Sequence, residues 1–598
     1  MIAPRAMHLR SLQLALAALL ALAAPQARAQ LGIDLTPDEK KAEDKKAQEK
    51  KADEKKAEPK RKPEKRPQAP TTLPELDIGG AKKGEATRRL ADAKKVFDDK
   101  DFETAALAYD AILREPALAE AHDQARLGEA KSLERLGLHH AALGRLDEIL
   151  SKGPQGSSSF KDALDWVFYV GKKTANEDDV VGRVARYAGG SFPASSQDKF
   201  DYLLARYAYE RAKALEDAGQ AGEARRAFAE ARRLAALVKP EAGARGTEDE
   251  GDVYAKARFL DGLVLYAEGD GNSALESFKD VVRLTNPRRA RAPDPRLREL
   301  AFLQLARLHY EHKQNRYAIF YYDKMPWGGD SWLEGLWESS YAHYRIGDYE
   351  KSLGNLLTLQ SPYFRDEWFP ESWILKAIIY YENCRYPEAR GILDAFHATY
   401  EPVHAELDRL TSRQAPPAGF FALIDDAQKG RGPGANGLMR RIMKLAFTDP
   451  NIKRIDEAVL EIEDELDKKL AARRDAFRGS PLAADLKERL GSERRRLVEE
   501  GGARARAKLE YERDGLRELL QQALRIKIEV SRKEREALES ALTRGGQVDV
   551  VRDYRYSVAV SDEHLYWPYD GEFWRDELGT YTYTLTKGCR DTGARATR

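Results

Sequence analysis

Between residues 84 and 405, small and large apolar positions recur in a fixed order. A small residue stands four positions before an aromatic or leucine at Ala105/Tyr109, Ala142/Leu146, Ala224/Phe228, Ala274/Phe278, Ala318/Tyr322 and Ala389/Leu393, with Ser352/Leu356 as a variant. Twelve residues before each anchor lies a second small residue: Ala93, Ala130, Ala212, Gly262, Ala306, Ser340 and Ala377. A step of four stacks two side chains on one helix face. Each anchor pair therefore marks one helix, and the small residue before it marks a preceding, antiparallel one. Two small side chains at the contact let the helices approach, and the large residue one turn later fills the next gap. The anchors are 37, 82, 50, 44, 34 and 37 residues apart, and the longest interval leaves room for another pair around "SFKDALDWVFYV" and "DDVVGRVARYA". Turns fall at "GDYEKS", "GDGNSA" and "RYPEAR", and Pro287 and Pro402 follow second helices, where proline ends or redirects the chain.

At these positions the sequence resembles the tetratricopeptide repeat family, with Trp373, Ala377, Ala389 and Leu393 in the best-formed unit. The resemblance covers roughly residues 84–405. It implies an all-α, right-handed helical solenoid whose concave face, lined by first helices, holds a peptide or a partner protein. Aromatic residues off the anchor positions concentrate in the last three units: Tyr310, Tyr321, Trp332, Trp337, Tyr341, Tyr344, Tyr380 and Tyr381. Most of these are expected to pack between units. The partner surface is placed on the first helices spanning Phe302–His309, Trp337–Tyr344 and Trp373–Tyr380, with Tyr310, Trp337, Tyr341, Tyr344, Trp373 and Tyr380 as its candidate residues.

After "DRLTSRQAPPAG" the repeat is lost, and residues 406–450 read as a connector. Its "KGRGPGANG" lacks the Lys-Ser/Thr ending of a phosphate loop and reads as a flexible turn. From Ile452 to about Thr543 a charged segment carries an apolar seam at Ile455, Val459, Ile462, Leu466 and Leu470, resumed at Leu482, Leu486 and Leu490 and later at Leu509, Leu516, Leu520 and Leu524. Gly501-Gly502 is the expected reversal of a helical hairpin or coiled coil over 451–544, with a kink at Ser480-Pro481. Each arm of about 45 residues would project roughly 65 Å. The seam also offers a route to homo-oligomerisation.

The last segment, 545–598, changes character. "QVDVVRDYRYSVAV", Gln547 to Val560, has the alternation of a strand and gives the C-terminal end possible β content; Pro568, Gly571 and Gly579 interrupt helix beyond it. The aromatic block that follows either caps the solenoid end or docks a partner. For docking, Tyr566, Trp567, Phe573 and Trp574, with Asp570, Glu572, Asp576 and Glu577, would form an aromatic patch with an acidic rim suited to a basic or peptidic partner.

The N-terminus adds location. Arg5 and Arg10, an apolar run from Leu12 to Ala24, and Ala27-Arg28-Ala29 have the layout of a secretory signal cleaved near Ala29, too short to span a bilayer, and the mature chain is expected to lack a membrane-spanning segment. Residues 30–83 repeat "KKAED KKAQE KKADE KKAEP" with hardly any apolar side chains and read as a disordered tether. A periplasmic location follows. Cys384 and Cys589 are compatible with one disulfide there or with two thiols. Over 598 residues the formal charge is only +1, with no bias towards nucleic acid.

No cofactor or metal motif is present: His309 and His312 flank Glu311 without the His-Glu-x-x-His spacing. In layout the chain resembles the repeat-containing subunits of bacterial envelope machines, including those of gliding motility in myxobacteria. That resemblance implies a non-catalytic scaffold for other envelope proteins or peptides. The alternative is a peptidoglycan-active enzyme with an accessory solenoid, for which Asp570 and Glu572 would be the carboxylate pair.

Overall fold

A computed structural model describes residues 83–174, 197–240, 252–288, 290, 293–364, 367–413, 415–428, 442, 449–543, 571–583 and 585. The expected signal sequence, the expected tether up to residue 82, "DDVVGRVARYA", "KGRGPGANG", the strand expected over Gln547–Val560, Tyr566, Trp567, Asp570 and Cys589 lie outside these residues. All described residues belong to one unit, Ile78–Arg598. They contain helices and turns and no strand.

Among the described residues, seven helix pairs follow one another. They are α1 Lys83–Asp98 with α2 Phe102–Leu113, α3 His122–Arg135 with α4 His139–Leu150, and, after the single helix α5 Phe160–Gly171, α6 Gln197–Asp217 with α7 Ala221–Ala235. Next come α8 Val253–Ala267 with α9 Gly271–Leu284, α10 Pro295–Glu311 with α11 Asn315–Tyr322, α12 Trp332–Arg345 with α13 Tyr349–Leu359, and α14 Glu371–Glu382 with α15 Tyr386–Thr411.

One turn joins all seven pairs. Its middle residue is left-handed: Lys100, Gly137, Gly219, Gly269, Lys313, Gly347 and Cys384, with φ between 57° and 87°. The residue after it sends its N–H back to a carbonyl five positions earlier, as from Leu138 to Leu133 (2.9 Å), Asp270 to Leu265 (2.9 Å) and Arg385 to Tyr380 (2.8 Å). This is the Schellman closure of a helix C-terminus. The same residue opens the next helix, its carbonyl accepting the N–H of the anchor: Ala105, Ala142, Ala224, Ala274, Ala318, Ser352 or Ala389. Asp101, Asp270 and Asp348 add a side-chain cap, each worth about 1 kcal/mol. The turn thus sets every anchor at the same place on its helix, against the small residue of the helix before.

The nest is tight. All seven anchors are buried. A Cβ on Gly262 would come within 2.8 Å of the Phe278 ring. In the variant unit, the Ser352 hydroxyl donates to the Ser340 carbonyl at 2.8 Å, so a hydrogen bond replaces the apolar contact.

The C-terminal helices depart from expectation. Pro402 does not end a helix but lies inside α15, because the turns beyond it bury Val403, Leu407 and Leu410. The expected connector contains a further helix, α16 Pro417–Gln428. After α17 Pro450–Asp464, a π turn Glu465–Lys469 and the short α18 Asp475–Arg478, one 63-residue helix, α19 Pro481–Thr543, runs unbroken through Gly501-Gly502. The hairpin reverses between Leu470 and Ser480, and Ser480-Pro481 is a helix start, the serine hydroxyl accepting the Ala483 N–H at 3.1 Å. The glycine pair has another purpose: a Cβ on Gly502 would collide with the Pro417 carbonyl, and one on Gly501 would lie 2.8 Å from the Phe421 ring. They are the contact at which α16 crosses α19.

Nor does α19 project. At about 1.5 Å per residue it is roughly 95 Å long, and it lies along the solenoid as a strap. Leu482, Leu486, Leu490 and Leu497 share a core with Ile455, Val459 and Ile462 of α17 and with Leu143, Leu146 and Leu150 of α4. Further on, Ala505, Leu509, Leu516, Ala523 and Val530 share a second core with Phe396, Tyr400, Leu407 and Leu410 of α15. One helix therefore joins the second pair to the seventh. Arg145 fixes the near end, bonding Glu129 (2.7 Å) and Asp485 (2.6 Å), while Arg489 bonds Glu148 (2.6 Å). Burial pushes the Glu129 carboxyl up to about 7, against the pull of the Arg145 guanidinium. One helix N-terminus of the solenoid also borrows a cap from this region. Glu465 accepts the His140 and Ala141 N–H groups (2.8 and 3.3 Å) at the start of α4, whose own cap residue, Leu138, supplies no side-chain acceptor. Arg474 pairs with Asp101 and Glu103 at the start of α2.

Replacing Gly502 by valine should lower the urea midpoint, the expected overpacking cost being about 1–3 kcal/mol. Gly515 lies in the same helix with open space around a Cβ, and Gly515→Ala should raise the midpoint, by up to about 1 kcal/mol in stability. Equal effects of the two changes would contradict the helix crossing.

Candidate functional site

The tail residues 571–583 lie along α13, and α13 is shaped for them. Gly354 sits inside this helix, where glycine costs about 1 kcal/mol relative to alanine; a Cβ there would collide with the Tyr581 carbonyl. Leu578 is buried. Gly579, left-handed at φ 88°, passes so close to Trp332 that a Cβ would come 2.8 Å from its ring. Backbone groups of the tail are satisfied by the solenoid. The Trp327 indole N–H donates to the Leu578 carbonyl (3.0 Å), Lys351 Nζ donates to the Gly579 carbonyl (2.9 Å), the Gly579 N–H donates to the Thr358 hydroxyl (3.0 Å), and the Tyr583 N–H donates to the Glu350 carbonyl (3.0 Å). Burial holds the Lys351 ammonium below its ordinary range.

This docking leaves an aromatic seam at the surface. Trp327, Tyr363 and Trp574 are each more than half exposed. Trp327 packs on Trp332, with ring centroids 5.7 Å apart, and Trp332 on Phe364 at 6.1 Å. The Tyr363 hydroxyl reaches the Phe573 carbonyl at 3.4 Å, and Phe573 meets Tyr581 edge to face. Upstream on α11, Tyr317 and Phe320 are also exposed, and His309 stacks on Tyr317 and Tyr321. Glu572, Asp576 and Glu577 belong to the tail, with Arg575 among them, and Asp330, three residues after Trp327, pairs with Arg296. Rigid rings exposed beside carboxylates can stack on, and form charge-assisted hydrogen bonds to, a basic or peptidic segment.

The other candidate residues lie in the seams between units. Trp337 and Tyr380 are buried, and Trp337 meets Tyr341 edge to face at 4.8 Å. The Tyr344 hydroxyl donates to Glu382 at 2.6 Å, and burial raises its pKa. Arg345 lies over the Tyr310 ring at 4.5 Å. Trp373 is half-buried against the core shared with α19. Leu353, Leu357, Lys376, Tyr380 and Tyr583 line a cavity of about 210 Å3 under the tail, and burial pushes the Lys376 amine down to about 8. Of the four tail aromatics, Phe573 and Trp574 are in the seam; Tyr566 and Trp567 lie outside the described residues.

His309 and His312 are engaged locally, by Gln314 and by the Leu308 carbonyl. Among the described residues no group of three or more metal-binding side chains occurs. No described helix is long and apolar enough to cross a membrane. Cys384 is disulfide-bonded; Cys589, the other cysteine of the sequence, lies outside the described residues.

Sequence reasoning did not single out Trp327, Tyr363 or Gly354. Gly354 carried a usable signal: a glycine two residues after a buried anchor, in a helix interior, marks a close approach of another backbone.

No protein-family model matches the chain, and no curated protein matches it. Among solved structures it is similar to the apo form of RapI, at 11% identity over 60% of this chain and 96% of that one, with a TM-score of 0.28. It is similar also to the P58(IPK) TPR domain (14% identity, 70% and 99%, TM-score 0.17) and to yeast Tom70 (12%, 69% and 97%, TM-score 0.20). At TM-scores this low, the chain's own seven turns and nested small residues remain the basis for describing it as a helical-repeat solenoid.

Gly354→Val should lift the tail off α13 without unfolding the pairs. Helical circular dichroism should be retained while protease cleavage near Arg575 accelerates about tenfold or more, since cleavage follows the population of the open form.

Proposed function

We propose that this chain is a non-catalytic interaction scaffold that receives a basic or peptidic segment of a partner protein on its aromatic seam. The observation that carries the proposal is the exposure of Trp574, on a tail that is itself hydrogen-bonded to the solenoid, together with the exposure of Trp327 and Tyr363, the solenoid rings that bond to the tail backbone. A cap alone would bury its rings. Here the cap buries Leu578 and turns Trp574 outward beside the exposed solenoid rings Trp327 and Tyr363, in the company of Glu572, Asp576 and Glu577. Tyr310, Tyr341, Tyr344 and Trp373 then set the relation of neighbouring units behind that surface.

The narrower proposal is an exported protein of an envelope assembly, of the kind that serves gliding motility or envelope transport. It is supported by the basic, apolar and Ala27-Arg28-Ala29 layout of the N-terminus and by the charged tether after it.

A photo-crosslinking residue at Tyr363 or Trp574 in the native cell should capture one discrete partner, and the same residue at Arg225 on α7 should not. Changing Glu572, Asp576 and Glu577 together to glutamine should weaken that capture by about tenfold, a loss of roughly 1.4 kcal/mol. Identical capture from all three positions would remove the seam as the site. Clearing of peptidoglycan by the wild-type chain but not by Glu572→Gln would establish the enzyme instead.

A further inference from the structure

The far end of α19 carries a second apolar surface, separate from the face that holds it to the solenoid. Ala523 and Val530 are buried against the seventh pair, where Tyr381 reaches Glu529, Lys527 pairs with Asp394 and Arg390 with Glu534. On a neighbouring flank, Leu524, Ile528, Ser531, Arg535, Leu538 and Leu542 are all exposed. Leu524 and Ile528 are 51% and 64% exposed, and Leu538 and Leu542 are 45% and 73%. Their steps of four, three, four, three and four are those of a coiled-coil seam. The stripe is about 27 Å long.

We propose that this stripe pairs with the same stripe of a second copy of the chain, in antiparallel register about a two-fold axis near Lys533. The occupant follows from self-complementarity. About that axis Leu524 faces Leu542, Ile528 faces Leu538 and Ser531 faces Arg535 in the second copy, so every large apolar residue meets another, and the arginine at a seam position meets a small hydroxyl. The flanking charges agree, since Arg525 on one helix lies beside Glu539 of the other, twice. Two like-charged meetings, Arg532 and Glu534 each with its own copy on opposite flanks, are moderated because each Arg532 is already paired with Glu529 and Glu536 and each Glu534 with Arg390. A parallel pair would instead set Arg535 against Arg535 in the seam. Four large apolar residues per copy make a small interface, so the dimer is weak and self-association falls in the micromolar range.

Sedimentation velocity of the full chain should show the sedimentation coefficient rising between low-micromolar and hundred-micromolar concentration. Ile528→Lys, at an exposed position, should fold normally and weaken association about tenfold or more. For register, Leu524→Cys chains mixed with Leu542→Cys chains should form an oxidised dimer, and neither pool alone should. Four outcomes would overturn the proposal: a monomer throughout the range, unchanged association of Ile528→Lys, crosslinking of Leu524→Cys to itself, or a crosslink from the stripe to another part of its own chain.

Discussion

Everything in this solenoid depends on how closely two helices can approach just after a three-residue turn. The left-handed residue at the middle of the turn fixes the direction of the second helix, and the next residue closes the first helix and opens the second. One turn on, an alanine or serine lies against an alanine, glycine or serine twelve positions back, with no space for a larger side chain. Because the geometry is set locally, it tolerates great variation elsewhere. The interval between anchors ranges from 34 to 82 residues, yet the turn and the nest do not change.

What is set locally does not by itself give a stiff object, and the strap supplies the remainder. An open solenoid contacts only its neighbours in series, so its stability is the sum of adjacent interfaces. Here α19 shares one core with α4 and another with α15, and it adds contacts between pairs that are distant in the series. The tail extends the same principle. It lies on the sixth pair and, through Gly354 and Gly579, comes within backbone distance of it, so that it presents rings it has no need to bury.

The parts of this architecture that were legible in the sequence are those decided within one hairpin. The anchors at Ala105 through Ala389 and their small partners marked the seven described pairs, and three turns were named; of the further pair expected between Ala142 and Ala224, the first helix is α5 and the second lies outside the described residues. Gly501-Gly502 misled because glycine serves two physical ends, a reversal of the chain or a close approach between helices. Only the position of Pro417, 85 residues earlier in the sequence, distinguishes them. Pro402 misled for a related reason: a proline stops a helix unless burial on both sides outweighs the lost hydrogen bond, and part of that burial comes from Ala505, Leu509 and Leu516, more than a hundred positions away. The aromatic tail was recognisable as a cap or a dock. That it is held on α13 with Trp574 exposed beside Trp327 and Tyr363 of the solenoid required a three-dimensional contact, and the turn residues Trp327 and Tyr363 follow no periodicity that would reveal it.

The strap also orders events in time. Arg145 is synthesised 340 residues before Asp485, to which it bonds. At about 5–20 residues per second, an interval on the order of 20–70 seconds separates the two on the ribosome. Throughout it, the leucines of α4 have their neighbours on α3 and α5, such as Leu133 and Leu164, but lack the cover that α17 and α19 later supply. In a repeat array without a strap each interface needs only the adjacent unit; this one leaves a face of its first units uncovered until the start of α19 has emerged, which gives a chaperone that shields apolar helix faces a defined interval in which to act.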